Sequence, residues 1–259
     1  MRLDGKVVII TGAGSGLGRA GALAFARAGA AVAVTDLDGD AARATASAIE
    51  GAGGDAMAVA ADAGDPAAVR SLVDETLARW GGLDVLYNNA GVALVGQDGF
   101  TPEIPDEVWD RVVRVNLTSV FLCAKYAIPH LAKRPGASIV NTASSMAVLP
   151  LGLLDAYAAT KGAVASLTRS MAHGCGRLGI RVNAICPGYV DTPMNALIFG
   201  EPTLRDAFAD DHAMGAQTPE EIAEVAVFLA SDAARSLTGA VLTCDRGWTA
   251  FKRPAALVR

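Results

Sequence analysis

Two hydrophobic patterns alternate along the chain. Short runs of branched and small apolar residues are typical of strands buried on both faces of a parallel sheet. They predict strands at residues 7–11, 31–35, 56–60, 83–87, 137–142, 181–186 and 240–243. Longer alanine-rich stretches carry apolar residues at helical spacing. They predict helices at residues 18–28, 40–51, 66–80, 106–132, 156–174 and 219–230.

This alternation predicts the fold class. Parallel strands joined by helices form right-handed crossovers, so helices cover both faces of the sheet. We expect an α/β protein with a doubly wound (Rossmann) parallel β-sheet of about seven strands flanked by helices. Residues 1–259 are predicted to form a single domain because no repeat, low-complexity tract or linker interrupts the pattern. Pro66 and Pro219 support two helix starts, since each follows a residue that can cap a helix, Asp65 and Thr218.

Residues 187–217 interrupt the pattern with no clear strand. A long irregular stretch in a compact domain usually has a function. Its apolar side chains are Met194, Leu197, Ile198, Phe199, Leu204 and Phe208. We predict that this segment forms a lid over an apolar pocket. A plain surface insertion is the alternative, although polar residues would then predominate.

Composition narrows the class of protein. Apolar residues make up 52% of the 259 residues, and the mean hydropathy is +0.34. No run of about 18 apolar residues accounts for this excess, so subunit interfaces of a homo-oligomer are predicted rather than a membrane span. The formal charge of −5 and the isoelectric point near 5.2 argue against nucleic acid or anionic lipid as a partner.

The N-terminus and the cysteines favour the cytoplasm. The first residues lead directly into a predicted strand, which leaves no room for a signal peptide. Cys123, Cys175, Cys186 and Cys244 are scattered, without C-x-x-C or metal-ligand spacing. Buried thiols in a reducing cytoplasm are therefore predicted, and no metal site.

A glycine-rich turn follows the first predicted strand. Gly12, Gly16 and Gly18 would let the backbone approach a pyrophosphate and leave amides free at a helix N-terminus. The common G-x-G-x-x-G spacing fits only Gly16, Gly18 and Gly21, which would begin inside the helix and is taken as coincidence. A turn without a nucleotide is the alternative. The predicted dinucleotide contacts of this turn are Gly12, Ser15, Gly16, Leu17 and Gly18.

An acid ends the second predicted strand. Asp36 can accept hydrogen bonds from the adenine-ribose hydroxyls of NAD, and it would repel the 2′-phosphate of NADP. Leu37 and the next residues include no Arg or Lys, so NAD is the predicted cofactor. Asp36 and Asp38 could instead cap the next helix, although an Asp38 cap is compatible with the NAD role of Asp36. Asp62 and Ala63, after the third strand, are predicted to contact the cofactor, and a plain turn is the alternative for Asp62.

Tyr157 and Lys161 suggest acid–base chemistry. Residues four apart lie on one face of a helix, and a nearby ammonium lowers the pKa of a phenol, which is roughly 10 in water. Alone, such a pair is usually a solvated helix pair. Ser144, thirteen residues before Tyr157, adds a hydroxyl that could bind a substrate oxygen. The adjacent Ser145 is the alternative, but the spacing Asn141-x-x-Ser144 at a strand end favours Ser144.

These motifs occur together and in order. They are Thr11-Gly12-x-x-x-Gly16-x-Gly18, Asn88-Asn89-Ala90-Gly91, Asn116, Ser144, Tyr157-x-x-x-Lys161 and Pro187-Gly188. In this register the chain resembles the classical short-chain dehydrogenase/reductase family over essentially its whole length. The resemblance implies an oxidoreductase that interconverts a secondary alcohol and its ketone by hydride transfer with a nicotinamide cofactor.

The resemblance also implies catalytic roles. Tyr157 would exchange a proton with the substrate oxygen, which Ser144 would orient. Lys161 would lower the pKa of the tyrosine and hold the nicotinamide ribose. Asn116 would hold a water that relays protons from the lysine. A hydrogen bond within its own helix, or contact with solvent, is the alternative for Asn116.

Further cofactor contacts follow from the same resemblance. Asn89, after the fourth strand, is a better candidate for contact than Asn88. The backbone of Val190 and the hydroxyl of Thr192 would fix the nicotinamide carboxamide. The remaining implied contacts are Ala90, Gly91, Tyr157, Lys161, Pro187 and Gly188.

The pocket candidates favour an apolar small-molecule substrate. They are Met146, Leu154, Tyr189 and Met194, with Val92, Leu94, Leu153 and Phe199 as further candidates. We expect a cyclic, aliphatic or aromatic secondary alcohol. Arg205 and His212 are the only possible cations in the lid, which argues against a phosphorylated substrate, and His212 is not expected to act as a base.

Two other functions remain open. A 3-oxoacyl thioester reductase would have the same fold, but such relatives generally prefer NADPH. A catalytically silent, NAD-binding regulatory protein belongs to another class, but degenerate members usually lose the tyrosine or the lysine.

The chain departs from the family near its C-terminus. The family usually reads Asp-Gly-Gly there, whereas this chain reads Asp245-Arg246-Gly247-Trp248. Arg246 lies beside an expected subunit contact. Residues 248–259 could cover a neighbouring subunit's pocket, and a disordered tail is the alternative. The resemblance suggests a homotetramer in which the helices at 106–132 and 156–174 pack across a two-fold axis, with a dimer as the alternative.

Overall fold

Seven strands form one parallel sheet in a computed structural model of the chain, which describes residues 1–251. The strands are β1 Val7–Thr11, β2 Ala31–Asp36, β3 Ala56–Ala60, β4 Val85–Asn88, β5 Ser138–Thr142, β6 Arg181–Pro187 and β7 Val241–Cys244. Their order is β3-β2-β1-β4-β5-β6-β7. The strand order switches direction at β1, because β2 and β3 lie on one side of it and β4 to β7 lie on the other. In open α/β sheets, ligands bind beyond the carboxyl ends of the strands at such a point.

Helices cover both faces of this sheet. They are α1 Gly16–Arg27, α2 Gly39–Gly51, α3 Pro66–Trp80, α4 Asp106–Val113, α5 Ser119–Leu131, α6 Asp155–Gly176, α7 Ala196–Phe199, α8 Pro202–Asp210 and α9 Pro219–Ala230. On β1, Val8 and Ile10 pack with α1, α2 and α9, whereas Val7 and Ile9 pack with α3 and α5. Burial on both faces explains why the strand is apolar at consecutive positions.

The predicted fold class is confirmed, and so are the seven predicted strands and five of the six predicted helices, with ends shifted by about one or two residues. The predicted caps are also present, because the side chains of Asp65 and Thr218 accept hydrogen bonds from first-turn amides of α3 and α9. Two predictions need correction. A π turn, Arg114–Thr118, divides the helix predicted at 106–132 into α4 and α5. Residues 187–217 are not irregular throughout, since they contain α7 and α8.

Three of the four cysteines are buried, as predicted, and Cys244 is half-buried; all four are free thiols. No helix within residues 1–251 is long and apolar enough to cross a membrane. Of the C-terminal tail that was expected to reach a neighbouring subunit, residues 252–259 lie outside the described residues.

Candidate active site

A cleft of about 870 Å³ opens at the carboxyl ends of β1, β4 and β5. Almost every residue predicted to contact cofactor or substrate lines it, from the turn after β1 to the 187–217 segment. Gly18 and Asn116 do not line the cleft but pack against residues that do. Among the further pocket candidates, Val92 and Leu153 line the cleft, whereas Leu94 and Phe199 do not.

Glycines shape the turn after β1. Gly12 has a φ of +63°, in the left-handed region that favours glycine. A Cβ on Gly18 would lie 1.9 Å from the carbonyl oxygen of Gly12, so no larger residue fits. The side chain of Ser15, at the start of α1, makes no capping hydrogen bond. The first amides of α1 and the positive end of the helix dipole therefore suit an anionic ligand such as a pyrophosphate.

Asp36 supports the other side of this turn. Its carboxylate accepts hydrogen bonds from the amides of Gly14, at 2.8 Å, and Asp38, at 3.0 Å. Asp38 caps α2 by accepting from two first-turn amides, so the capping alternative is correct for Asp38. Asp36 and the exposed Leu37 both line the cleft. A carboxylate here can accept hydrogen bonds from ribose hydroxyls and would repel a phosphate.

Asp62 is a turn residue that also lines the cleft. It accepts a hydrogen bond from the amide of Gly64 at 2.8 Å and forms an ion pair with Arg114 at 2.6 Å. Burial alone would raise the pKa of Asp62, but the hydrogen bonds from Arg114 and Gly64 lower it below its usual value. The turn interpretation is therefore confirmed. The ion pair between Arg114 and Asp62 was not predicted, because nothing in the sequence around Arg114 links it to Asp62.

Two consecutive asparagines at the end of β4 differ in their contacts. Asn88 is buried and donates to the side chain of Asn141 at 2.9 Å. Asn89 lines the cleft, and its side chain donates to the carbonyls of Thr11 and Gly12 at 3.1 and 3.3 Å. Asn88 thus holds β4 to β5, while Asn89 holds the glycine turn to the end of β4.

Three polar side chains meet on the opposite wall. Lys161 is only 3% exposed, and its Nζ donates to the carbonyl of Thr142, the last residue of β5, at 2.9 Å. That Nζ lies 5.6 Å from the centre of the Tyr157 ring. The Ser144 hydroxyl lies near enough to the Tyr157 phenol to lower its pKa, which favours Ser144 over Ser145 as the hydroxyl beside the tyrosine.

Burial moves the pKa values of this pair in opposite directions. It raises the pKa of Tyr157 above its ordinary value, and the hydrogen bond with Ser144 offsets only part of the rise. It lowers the pKa of Lys161 to about 8. The expectation that Lys161 brings the pKa of Tyr157 below its ordinary value is therefore not met in the protein alone. Removal of water from each group is the largest cause of its shift.

Asn116 lies in the π turn and is fully buried. Its Oδ1 accepts from the amide of Val92 at 2.8 Å, and its Nδ2 donates to the carbonyl of Val92 at 2.9 Å and to Thr160 at 3.2 Å. Neither alternative for Asn116, a bond within its own helix or contact with solvent, is correct. Its side chain instead ties the π turn to the loop after β4 and to α6. Single π turns are frequent at functional sites.

Asp98, which the sequence does not single out, holds the start of α6. It is 5% exposed, and its carboxylate accepts from the amides of Ala156 at 3.1 Å and Tyr157 at 2.8 Å. In return, Asp155 accepts from the amide and the hydroxyl of Thr101, at 2.9 and 2.6 Å. A distant loop therefore caps the helix that carries Tyr157. The sequence around Asp98 indicates only a turn, so nothing in it predicts that Asp98 caps α6.

The 187–217 segment forms the apolar end of the cleft. Two backbone hydrogen bonds join the ends of this segment to each other. The amide of Gln217 donates to the carbonyl of Tyr189, and the carbonyl of Gln217 accepts from the amide of Asp191, each at 3.2 Å. Val190 is buried, and the hydroxyl of Thr192 donates to its carbonyl at 3.4 Å. The lining residues from the predicted pocket are Met146, Leu154, Tyr189 and Met194, and Ile198 and Phe208 line it as well.

Arg246 crosses from the C-terminal turn to this segment. Its guanidinium donates to the carbonyls of Met214 and Ala216, at 2.8 and 2.7 Å, and also pairs with Glu221. Its carbonyl accepts from the amide of Ala213 at 2.9 Å. Its φ of +46° lies in the left-handed region, as the usual glycine would allow. The departure from the family's glycine thus adds contacts within the chain.

Similarity to known proteins agrees with this geometry. Residues 12–249 match a family model described as Enoyl-(Acyl carrier protein) reductase. Meso-2,3-butanediol dehydrogenase of Serratia marcescens is 42% identical over 252 residues, 96% of this chain and 97% of that protein. Cis-4-hydroxycyclohexanecarboxylate dehydrogenase of Sinomonas cyclohexanicum is 41% identical over 207 residues, 78% of this chain and 80% of that protein.

A solved structure agrees as well. The 3-ketoacyl-(acyl-carrier-protein) reductase from Brucella melitensis, complexed with NADH, superposes with a TM-score of 0.85 at 36% identity. The match covers 95% of this chain and 99% of that one. The shared fold, together with the glycine turn and the cleft at the switch point, supports a nicotinamide cofactor for this chain.

Asp98→Asn should loosen the first turn of α6. The asparagine amide keeps one acceptor oxygen, so one of the α6 amides loses its partner, at a cost of about 1–2 kcal/mol. We expect amide hydrogen exchange of residues 155–160 to become about tenfold faster. Asp110→Asn, at an exposed position on α4, is the matched control and should leave this exchange unchanged. Equal exchange in Asp98→Asn and the wild type would contradict the capping role.

Proposed function

The chain belongs to the classical short-chain dehydrogenase/reductase family, and we propose that it is an NAD-dependent dehydrogenase of a largely apolar secondary alcohol. The observation that carries this proposal is the cluster of Tyr157, Ser144 and Lys161 on one wall of a cleft whose substrate end is apolar. An oxidoreductase of secondary alcohols and ketones needs a proton acceptor beside the substrate oxygen, and this cluster can provide one.

Tyr157 and Ser144 would act on the substrate oxygen. Ser144 donates a hydrogen bond that orients the alcohol, and Tyr157, as phenolate, accepts its proton when the ketone forms. Lys161, fixed by the carbonyl of Thr142, places a positive charge beside the phenolate. The carbinol carbon loses a hydride in the same reaction. When bound, the nicotinamide ring supplies the acceptor of that hydride, or its donor in the reverse direction.

The residues that line the other end of the cleft fit a dinucleotide. The amides at the start of α1 would hold its pyrophosphate, with Gly18 leaving room for the turn. Asp36 would accept from the adenine-ribose hydroxyls and disfavour a 2′-phosphate, so NAD is the proposed cofactor rather than NADP. The remaining proposed contacts are Gly12, Ser15, Gly16, Leu17, Leu37, Asp62, Ala63, Asn89, Ala90, Gly91, Tyr157, Lys161, Pro187, Gly188, Val190 and Thr192.

The proposed role of Asn116 is to shape the proton path. Its side chain is already bonded to Val92 and Thr160. A π turn leaves a backbone carbonyl without its usual helical partner. We therefore assign the relay of protons from Lys161 to a water near the backbone of this turn, and the fixed position of the turn to the Asn116 side chain.

The substrate class follows from the pocket and from the relatives. Met146, Leu154, Tyr189 and Met194 give the substrate end a mostly apolar wall. Relatives that share about two fifths of their residues with this chain are named for a diol and for a hydroxycyclohexane carboxylate. A cyclic, aliphatic or aromatic secondary alcohol is the class that this pocket and these relatives support together.

A 3-oxoacyl thioester reductase is the second candidate. The solved 3-ketoacyl-(acyl-carrier-protein) reductase favours it through overall similarity of fold. A silent NAD-binding regulatory protein has less support, because Ser144, Tyr157 and Lys161 are all present and in contact with one cleft.

We also propose how the chain is organised. Residues 1–259 would form one domain in the cytoplasm, with residues 187–217 as the substrate lid. A homotetramer is favoured because α4 and α5 expose Trp109 and Phe121, which are 44% and 50% accessible in the single chain. Light scattering of the full chain should give about four times the 26.4 kDa monomer mass. A monomer mass would contradict the proposal.

The function is tested by following NADH formation from NAD across cyclic, aliphatic and aromatic secondary alcohols. Parallel reactions contain NADP, and acetoacetyl-CoA with NADH or NADPH represents the thioester candidate. We expect turnover with NAD on an apolar alcohol, and Tyr157→Phe should lower it at least a hundredfold because the proton acceptor is lost. Turnover of the thioester alone would favour the second candidate. A preference for NADP would overturn the role of Asp36.

The rate should depend on pH in opposite ways in the two directions. Burial raises the pKa of Tyr157, so the phenolate needed for alcohol oxidation is scarce at pH 7 and increases as the pH rises. Ketone reduction uses the phenol, which persists through the neutral range. We expect kcat/KM for oxidation to rise at least tenfold between pH 7 and 9, and kcat/KM for reduction to stay level or fall. A rate of oxidation that falls over this range would contradict the assignment of Tyr157.

A further inference from the structure

Two aromatic residues on the wall of the substrate pocket are joined by a histidine that does not line the cleft. Tyr189 and Phe208 both line it, and their ring centres are 4.3 Å apart. His212 lies behind them and is 3% exposed. Within residues 1–251 it is the one buried histidine, and the proposed proton transfer gives it no role.

The two nitrogens of His212 bind the backbones of these same two residues. Nε2 lies 3.2 Å from the amide nitrogen of Tyr189, and Nδ1 lies 2.7 Å from the carbonyl oxygen of Phe208. An amide can only donate and a carbonyl can only accept. The imidazole is therefore neutral, with its proton on Nδ1. Neither nitrogen is free to serve as a general base.

The surroundings fix the ring in this place. A Cβ on Gly188 would lie 2.7 Å from His212 Nε2, so the glycine leaves the room that the imidazole occupies. On the other side, the indole of Trp248 stacks with the imidazole at 6.3 Å and meets Tyr189 edge-on at 5.6 Å. The imidazole thus connects the end of β6, the end of α8 and the C-terminal turn.

We propose that His212 is a positioning residue that sets the form of the apolar pocket, and thereby its affinity for the substrate. This inference rests on the proposed function. The loop after β6 and helix α8 belong to different parts of the 187–217 segment, and Tyr189 and Phe208 line the pocket from one part each. Because the backbones of both residues are bonded to one rigid ring, their side chains keep a constant spacing.

The test compares variants that remove the two hydrogen bonds in different ways. His212→Phe keeps a ring of similar volume beside Trp248 but makes neither bond. In His212→Gln, the side-chain amide oxygen can accept from the amide of Tyr189, and the side-chain NH2 group can donate to the carbonyl of Phe208. His173→Ala, at an exposed position on α6, is the control. The measurements are KM and kcat for the alcohol found in the panel, KM for NAD, and hydrogen exchange of residues 187–190 and 202–212.

We expect His212→Phe to raise KM for the alcohol about tenfold, with kcat and KM for NAD within about threefold of wild type. His212→Gln should recover part of this loss, and exchange in both segments should accelerate in His212→Phe. A rise in KM without faster exchange would overturn the proposal, and so would faster exchange with an unchanged KM. Hydrogen exchange needs no substrate, so unchanged exchange overturns the positioning role even if no alcohol in the panel is turned over.

Discussion

The packing of the half-buried Tyr157 and the buried Lys161 on one turn of α6 is the constraint on which this site depends. A buried ammonium is costly unless it is held by hydrogen bonds, and Lys161 is held by the carbonyl of Thr142 at the end of β5. The backbone amide of Tyr157 is held by the carboxylate of Asp98, and the hydroxyl of Ser144 lies near the phenol. The position of α6 against the sheet therefore fixes the groups that exchange protons. It also shifts their pKa values, upward for the phenol and downward for the ammonium.

Much of this arrangement could be predicted from the sequence, because it depends on local rules. The apolar runs mark strands that are buried on both sides, and Gly12 and Gly18 occupy positions where a side chain would strain or block the turn. Asp65 and Thr218 cap helices within a few residues of their own positions. Such contacts are visible in the sequence since the partners are neighbours in the chain.

Contacts between distant parts of the chain could not be predicted in the same way. Asp98 is more than fifty residues from the amides that it caps, and its sequence context indicates only a turn. The pKa of Tyr157 follows from burial, which spacing does not reveal. The π turn at Asn116 reads as ordinary helix because its residues keep a helical pattern.

The two ends of the cleft are held in different ways. At the cofactor end, the glycine turn is shaped by Gly12 and Gly18 and is held to the end of β4 by Asn89. At the substrate end, Arg246 is bonded to the carbonyls of Met214 and Ala216, and His212 is bonded to the backbones of two pocket residues. The most direct test is a crystal structure with NAD and a bound alcohol or its ketone. We predict that the substrate oxygen lies within about 3 Å of both the Tyr157 and the Ser144 hydroxyls. A substrate oxygen bound away from Tyr157 would contradict the account.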